Sequence, residues 1–268
     1  MQIGVHLPHI GRKATPEVVT RAAVQAEELG HERGQSDAID PNRTSARLEL
    51  MRAPRAGRKS GTGPIGLGFR ALKGGGVVVG VVVDERDPRV VLSTFLPTAA
   101  DGDRLALEPY RVAYEMKRGP DGGAATEAAA AVAEGHKRQG ELAAQGLGDI
   151  VRKLRDAGCQ PVIAALLVNR AGWITDALAY SLSWPEHVPI AEGLAVRDAL
   201  RLACGRCGLE VAEIDEKSLH EVASEQLRLS PNDMDVRLKS LGATVGRPWR
   251  REQKLACLSA WVTVAALQ

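Results

Sequence analysis

Three apolar runs separated by two turn signals constrain the fold of this chain more than any other feature. The runs are residues 65–72, 77–83 and 89–96. They are rich in Val, Ile and Leu, which is typical of strands in a buried sheet. Lys73-Gly74-Gly75-Gly76 joins the first two runs, and glycine reaches the positive φ of a hairpin turn without steric cost. Because a polar turn ending in Pro88 joins the last two, the segment predicts a three-stranded meander.

Downstream of the meander, helical patterns alternate with strand patterns. An alanine-rich helical segment from about Thr126 to Gly158 precedes a continuous apolar run at residues 161–168, as expected for an inner parallel strand. A helix opened by Pro189 precedes residues 209–214, where apolar and charged residues alternate as in an edge strand. Helices then follow to the end of the chain. The predicted class is therefore α/β, a mixed sheet in the order β-β-β-α-β-α-β with C-terminal helices.

This order resembles the ribonuclease H-like fold, which also carries actin-like ATPases and Holliday-junction resolvases. The run Val245-Gly246-Arg247-Pro248-Trp249-Arg250-Arg251-Glu252-Gln253-Lys254 resembles the ending of a bacterial family of the same fold that has no assigned activity. The resemblance covers residues 65–268, which we expect to form one domain. Fold analogy alone sets only a prior on function.

The resemblance implies a metal site that the residues do not supply. Nucleases of this fold use two metal ions held by carboxylates from several strands, and the first strand should contribute an Asp that both ions share. Residues 65–72 contain neither Asp nor Glu, and Asn169 and Arg170 stand after the fourth strand, where an arginine would repel the metals. Asp215 and Glu216 remain near the end of the fifth. We therefore predict no catalytic residues, no metal and no cofactor, and leave open whether any catalysis occurs.

Binding of an anionic ligand, either nucleic acid or a nucleotide, is the function that remains for this domain. Lys73 and the glycines after it could cradle a phosphate, although the same residues also suit a plain hairpin turn. A connection with exposed polar groups and aromatics leaves the fourth strand, and arginines begin the last helix, where backbone N–H groups favour anions. The aromatics of the connection are expected to form a small satellite core. The predicted ligand-binding residues are Lys73, Asn169, Arg170, His187, Glu192, Arg247, Trp249 and Arg250.

The first 30 residues carry a second resemblance. Residues 1–7 read as a strand, Thr15-Pro16 as a helix start, and Gly30 as a C-terminal cap. The segment resembles the start of luciferase-like flavin- or deazaflavin-dependent oxidoreductases, which are TIM barrels. The alternative function is therefore an oxidoreductase of this group, which flavin absorbance of the purified protein would reveal. Too few βα units follow for a barrel, so residues 1–30 are expected to be an orphan strand-helix extension and residues 31–64 a basic flexible linker.

Composition narrows the setting in which the protein works. The net charge of +2 gives no global argument for nucleic acid or membrane, and no apolar run approaches the length of a membrane span. The four cysteines form no disulfide framework, which favours a cytoplasmic location. Cys204 and Cys207 form a single C-x-x-C without the second pair of a zinc site, and we expect two ordinary helix cysteines.

Overall fold

The computed structural model of the chain describes residues 63–84, 87–116, 118–119, 124–169 and 172–267. The predicted extension at residues 1–30, the linker up to Thr62, and Arg170 lie outside the described residues. The elements are β1 Pro64–Leu72, β2 Gly75–Asp84, β3 Asp87–Pro97, α1 Arg104–Leu107, α2 Pro109–Glu115, α3 Thr126–Asp156, β4 Gln160–Val168, α4 Ala177–Ser183, a 3₁₀ turn Pro185–His187, α5 Val188–Arg206, β5 Glu210–Asp215, α6 Leu219–Leu227, α7 Pro231–Val245 and α8 Arg251–Ala265.

The five strands form one mixed sheet in the order β3-β2-β1-β4-β5. β1 pairs antiparallel with β2 and parallel with β4, β2 pairs antiparallel with β3, and β4 pairs parallel with β5. A meander followed by two parallel strands joined by helical crossovers is the ribonuclease H-like arrangement, so the predicted fold class is confirmed. β5 lies at the edge of the sheet, as its alternating pattern predicts.

Helices cover both faces of the sheet. On one face, α3 and α5 pack over β-strand side chains that include Ile65, Leu67 and Phe69. On the other face, α8 packs on β1, β2 and β4, with α6 and α7 beside it. The valines of β2 alternate between the two cores, since Val78 belongs to the first and Val79 to the second. This double burial explains why β2 reads as an unbroken run of β-branched residues.

The predicted helix from about Thr126 to Gly158 is present as α3, Thr126–Asp156. α3 continues through Gly135, Gly140 and Gly146, because these glycines admit close neighbours: an added Cβ would come within 2.6 Å of Pro109, 2.5 Å of Leu202 and 2.7 Å of Leu96, respectively. Close packing between elements here outweighs the weak helix propensity of glycine.

The structure differs from the sequence prediction in two of the connections. The polar stretch after the meander folds into α1 and α2, and the connection after β4 contains α4 and the 3₁₀ turn. α2 and the amino ends of α3 and α5 enclose a third, smaller core around Tyr110. In the described part of the chain, no helix is both long and apolar enough to cross a membrane.

Candidate functional site

The parallel strands β1, β4 and β5 all end at one edge of the sheet, which we call the carboxyl edge. Arg70 of β1 pairs with Leu167 of β4, which in turn pairs with Ile214 of β5. Leu167 and Ile214 face the core under α8. Because side chains alternate along a strand, Glu216, two residues after Ile214, extends the same row. The fold therefore places Arg70 and Glu216 on the α8 side of the carboxyl edge.

Arg70 and Glu216 form a bidentate ion pair. Arg70 Nε donates to Glu216 Oε2 and Arg70 Nη2 donates to Glu216 Oε1, both at 3.0 Å. Only 17% of the Arg70 side chain and 19% of the Glu216 side chain are exposed. This parallel two-bond geometry is the strong, orienting form of an arginine–carboxylate contact. It fixes the guanidinium at the point where β1 and β5 end.

The start of α8 adds a second carboxylate and a second arginine. Glu252 Oε1 lies 3.6 Å from Arg70 Nη1, and Arg251 Nη2 lies 3.6 Å from Glu216 Oε1. The Glu252 carboxylate lies in the first helical turn, where the helix dipole also stabilises it. We refer to Arg70, Glu216, Arg251 and Glu252 as the arginine–glutamate cluster.

The carboxylates of the cluster are already paired with arginines. Its two carboxylates converge on a guanidinium, which already supplies the positive charge that a metal ion would bring. Within the described ranges, no three His, Cys, Asp or Glu side chains come together in a way that could hold a metal ion. Mg²⁺ requires oxygen ligands that are free to coordinate it, and here those oxygens contact Arg70 and Arg251.

Arg197 of α5 approaches the cluster from the other face of the sheet. α5 connects the end of β4 to the start of β5, so its amino end lies at the carboxyl edge. Arg197 Nη1 lies 3.7 Å from the Cβ position of Gly193, one turn earlier, and the side chain therefore extends toward that edge. Its Nε is buried and has no hydrogen-bond partner among the described residues. Burial lowers the pKa of Arg197; nearby Glu216 opposes the shift, whereas Arg70 and Arg201 add to it.

Two of the sequence-predicted residues, Lys73 and Glu192, meet at the start of α2. Lys73 lies in the β1–β2 turn, and its Nζ is 2.6 Å from Glu108 Oε1. Glu108 is the residue before α2, and Glu192 Oε1 accepts a 2.9 Å hydrogen bond from the backbone N–H of Arg111 within that helix. Glu192 thus acts as a cap supplied by α5, and Lys73 is held by an ion pair.

The Glu192 carboxyl lies in an apolar setting that alters its acidity. Burial raises the pKa of Glu192 to about 7, although hydrogen bonds from the α2 backbone oppose the rise. Its Oε2 is buried without a hydrogen-bond partner in the described part of the chain, as is Nε2 of His136 nearby. Tyr110 packs edge-on against His136 with ring centroids 5.4 Å apart. Burial lowers the pKa of His136 and therefore favours its neutral form.

His187 belongs to an aromatic group beyond β4. Its ring stacks on Tyr180 at a centroid distance of 3.9 Å, and Trp173 meets Tyr180 edge-on at 5.2 Å. His187 Nδ1 lies 2.8 Å from Ser183 Oγ, which ties the 3₁₀ turn to α4. The prediction of a buried satellite core is wrong for the tryptophans, since Trp173 is 68% and Trp184 is 64% exposed.

The arginines between α7 and α8 line an open groove of about 590 Å³. Arg247, Trp249 and Arg250 contribute to it, together with Gly242 and Gly246. The Trp249 indole lies against Gly242, where a Cβ would collide with it, and Trp249 Nε1 donates to Leu238 O at 2.8 Å. Trp249 therefore anchors the loop, whereas Arg247 and Arg250 are exposed.

The sequence-predicted residues thus fall into separate groups. Lys73 and Glu192 lie at the start of α2, His187 lies beyond α4, and Arg247, Trp249 and Arg250 line the α7–α8 groove. Asn169 is exposed at the end of β4. Among the described residues, none of those predicted in the connection after β4 lines the groove. Residue Arg251, directly after this groove, reaches the arginine–glutamate cluster.

Sequence reasoning missed Arg70, Glu252 and Arg197. A signal for Arg70 was present, because it is the single charged residue within the apolar run 65–72 and follows Gly66 and Gly68 at strand spacing. Glu252 and Arg197 carry no comparable signal, since charged residues on helices usually face solvent. Their position at the carboxyl edge depends on how α8 and α5 pack on the sheet.

No protein-family model and no curated protein matches this chain. The solved structures that are similar to it include two of RuvC. One is a Thermus thermophilus RuvC structure, 10% identical, with a TM-score of 0.42 over 76% of this chain and 95% of that one. The other is T. thermophilus RuvC in complex with Holliday junction substrate, 9% identical, with a TM-score of 0.45 over 76% of this chain and 94% of that one. Neither likeness carries information about the residues of the site.

Proposed function

We propose that residues 65–268 form a non-catalytic ribonuclease H-like module that binds a phosphate-bearing ligand, nucleic acid or nucleotide. The observation that carries this proposal is the bidentate contact of Arg70 with Glu216 at the carboxyl edge. A guanidinium at that point repels metal ions, and the exposed arginines around the cluster favour anions. The edge of the sheet where this fold class collects its ligands is therefore suited to bind phosphate rather than to hydrolyse it.

The surrounding charges support an anionic ligand. Arg251 is 75% exposed and contacts the cluster through one 3.6 Å ion pair, so most of its hydrogen-bonding capacity faces solvent. Arg247 and Arg250, which precede it in the chain, are exposed and line the α7–α8 groove. Arginines in such positions contact phosphates without reading sequence, and the binding they give weakens as salt rises.

Fluorescence anisotropy with labelled single-stranded, double-stranded and branched DNA, and with a labelled nucleoside triphosphate, tests this function. We expect binding that weakens with increasing salt, and no cleavage with Mg²⁺ or Mn²⁺. The double variant Arg247→Ala/Arg250→Ala should reduce binding and leave the melting temperature nearly unchanged. Arg152→Ala/Arg155→Ala is the matched control, because both arginines lie near the end of α3, which leads to the opposite edge of the sheet.

Two outcomes would count against the proposal. Equal binding by both double variants would show that Arg247 and Arg250 form only a solvated helix end. Cleavage that survives repurification and is lost on Asp215→Asn would show that the domain is a metal-dependent nuclease.

A cytoplasmic location in a bacterium is part of the same proposal. The cysteines Cys159, Cys204, Cys207 and Cys257 are all free thiols, which fits a reducing compartment. The bacterial assignment rests on the resemblance of residues 245–254. Detection of the protein in the membrane or secreted fraction of its cells would contradict it.

A further inference from the structure

We infer that the guanidinium of Arg197 binds the phosphate of the ligand, in a site that Arg197 shares with Arg251 around Glu216. The inference rests on the proposed function and names the residue and the group recognised: a phosphate oxyanion, from a nucleic-acid backbone or a nucleotide. Nothing in the sequence distinguishes Arg197 from its neighbour Arg201. Their surroundings in the structure do.

Arg201 lies one helical turn after Arg197 and has its full set of acidic partners. Its Nε donates to Glu213 Oε1 at 2.7 Å, and its guanidinium also pairs with Asp198. Arg197 has no hydrogen bond or ion pair of this kind within the described residues, although its Nε is buried. Buried polar groups are nearly always paired, and a buried N–H without a partner, such as the Nε–H of Arg197, destabilises the fold that contains it. The missing partner is the observation that points to a ligand.

The direction of the Arg197 side chain defines where that ligand lies. The guanidinium runs back over Gly193 toward the amino end of α5, and hence toward the carboxyl edge. It is close enough to Glu216 and Arg70 for their charges to act on it. Both carboxylate oxygens of Glu216 accept hydrogen bonds from Arg70. Glu216 therefore does not pair with the guanidinium of Arg197.

A phosphate oxyanion completes this arrangement. Guanidinium groups match phosphate through two parallel N–H···O bonds. Arg251, on the α8 side of Glu216, can approach the same anion because three-quarters of its side chain is exposed. Arg70 does not contact the anion in this arrangement. It is a positioning residue that holds Glu216 between the two ligand-binding arginines.

The test compares Arg197→Met with Arg201→Met in the full chain. Each variant removes one guanidinium from the same helix and keeps a long apolar side chain. Melting temperatures are measured in chloride buffer with and without inorganic phosphate and pyrophosphate, and affinities for a nucleoside triphosphate and a single-stranded oligonucleotide are measured in parallel. The affinities for the nucleoside triphosphate and for the oligonucleotide distinguish a nucleotide from a nucleic acid as the source of the phosphate.

For Arg197→Met we expect two effects that a structural arginine would not combine. The melting temperature without phosphate should rise by about 2–4 °C, because a half-buried guanidinium whose Nε lacks a partner has been removed. The stabilisation by pyrophosphate should disappear, and affinity for the phosphate-bearing probe should fall about 10-fold to 100-fold. Arg201→Met should lower the melting temperature and keep the response to pyrophosphate.

Distinct results overturn the inference and the proposed function. A lower melting temperature and an unchanged pyrophosphate response in Arg197→Met would show that Arg197 is structural, whatever the nucleic-acid arm gives. Loss of the pyrophosphate response in Arg197→Met, together with no binding of any nucleic acid or nucleotide by the natural chain, would support the phosphate site and overturn the proposed function.

Discussion

Gly68 of β1 lies directly against the carbonyl oxygen of Ala256 in α8, so closely that no Cβ fits between them. Two residues earlier, a Cβ on Gly66 would come within 2.6 Å of the Ala260 carbonyl oxygen. Two residues later, Arg70 meets Glu252. Two strand residues span about 6.6 Å and four helix residues about 6 Å. Every second residue of β1 therefore meets every fourth residue of α8 in these three contacts. The glycines therefore set the distance at which Glu252 reaches Arg70.

Gly68→Ala should destabilise the domain strongly. The new methyl group would collide with the α8 backbone, which cannot move aside as a flexible side chain can, and overpacking of this kind costs about 1–3 kcal/mol or more. Urea denaturation measures the loss. Gly148→Ala is the matched control, since nothing lies within 4 Å of its Cβ position on α3, and alanine should stabilise that helix by up to about 1 kcal/mol. A neutral Gly68→Ala would contradict the close approach of α8.

Arg70→Met should lower the free energy of unfolding by about 3 kcal/mol, because it leaves Glu216 in a site with little solvent. Within the arginine–glutamate cluster, Glu216 then keeps only its 3.6 Å contact with Arg251. The second substitution in Arg70→Met/Glu216→Gln removes this poorly paired charge, and we expect it to restore at least half of the loss. A double-mutant cycle from chemical denaturation gives the coupling between the two residues. Simple additivity of the two single changes would show that the ion pair contributes nothing to stability.

Arg70→Asp should convert the arginine–glutamate cluster into a cation site. Glu216 and Glu252 already converge on position 70, so a third carboxylate would complete an oxygen donor set for Mn²⁺. A ligand that binds only the folded chain stabilises it by about 2.7 kcal/mol at 100 times its dissociation constant. Thermal denaturation with and without Mn²⁺ measures this, with Arg70→Asn as the control. The same Mn²⁺ shift in both variants would argue against a site built on position 70.

Glu192 should make a contribution to the stability of the domain that falls as the pH rises from 4.5 to about 7. Its folded-state pKa of about 7 is raised from 4.5 by burial. The folded chain therefore holds a proton that the unfolded chain has lost, and its stabilising effect is complete below pH 4.5 and lost through pH 7. The slope is at most about 1.4 kcal/mol per pH unit.

Denaturation of the Glu192→Gln variant between pH 5 and 8 isolates the contribution of the Glu192 carboxyl to stability. The free energy of unfolding of the variant should lack the decline with pH that Glu192 causes. Burial lowers the pKa of His136, and this group makes the free energy of unfolding rise with pH in both proteins. Parallel stability curves for the natural chain and Glu192→Gln would show that the Glu192 carboxyl titrates normally.

A chain that starts at Thr62 should fold by itself. The described residues supply five paired strands and helices on both faces of the sheet. We expect a cooperative thermal transition near that of the full chain, observed by circular dichroism. Aggregation, or a midpoint lower by tens of degrees, would mean that residues 1–61 are an integral part of the domain and that the predicted boundary is misplaced.

The sequence by itself determined the sheet and its layers. The β-branched run of β2, the glycine turn at Lys73-Gly74 and the continuous apolar run of β4 each encode local geometry and burial on both faces. These signals are short-range, since strand propensity, turn chemistry and hydrophobic pattern all lie within a few residues of one another. The succession of strands and helices along the chain therefore followed from these local signals.

Only the tertiary structure decided which charged residues meet. Arg70 and Glu216 are 146 positions apart, and Arg197 and Arg201 look alike in the sequence although one is paired and the other is not. A salt bridge depends on the angle and distance at which α5 and α8 pack on the sheet. That packing is set by contacts such as Gly68 against Ala256, which carry no signal in either segment alone. Charge partners are long-range consequences of packing, and for this physical reason the arginine–glutamate cluster emerged only once the chain was folded.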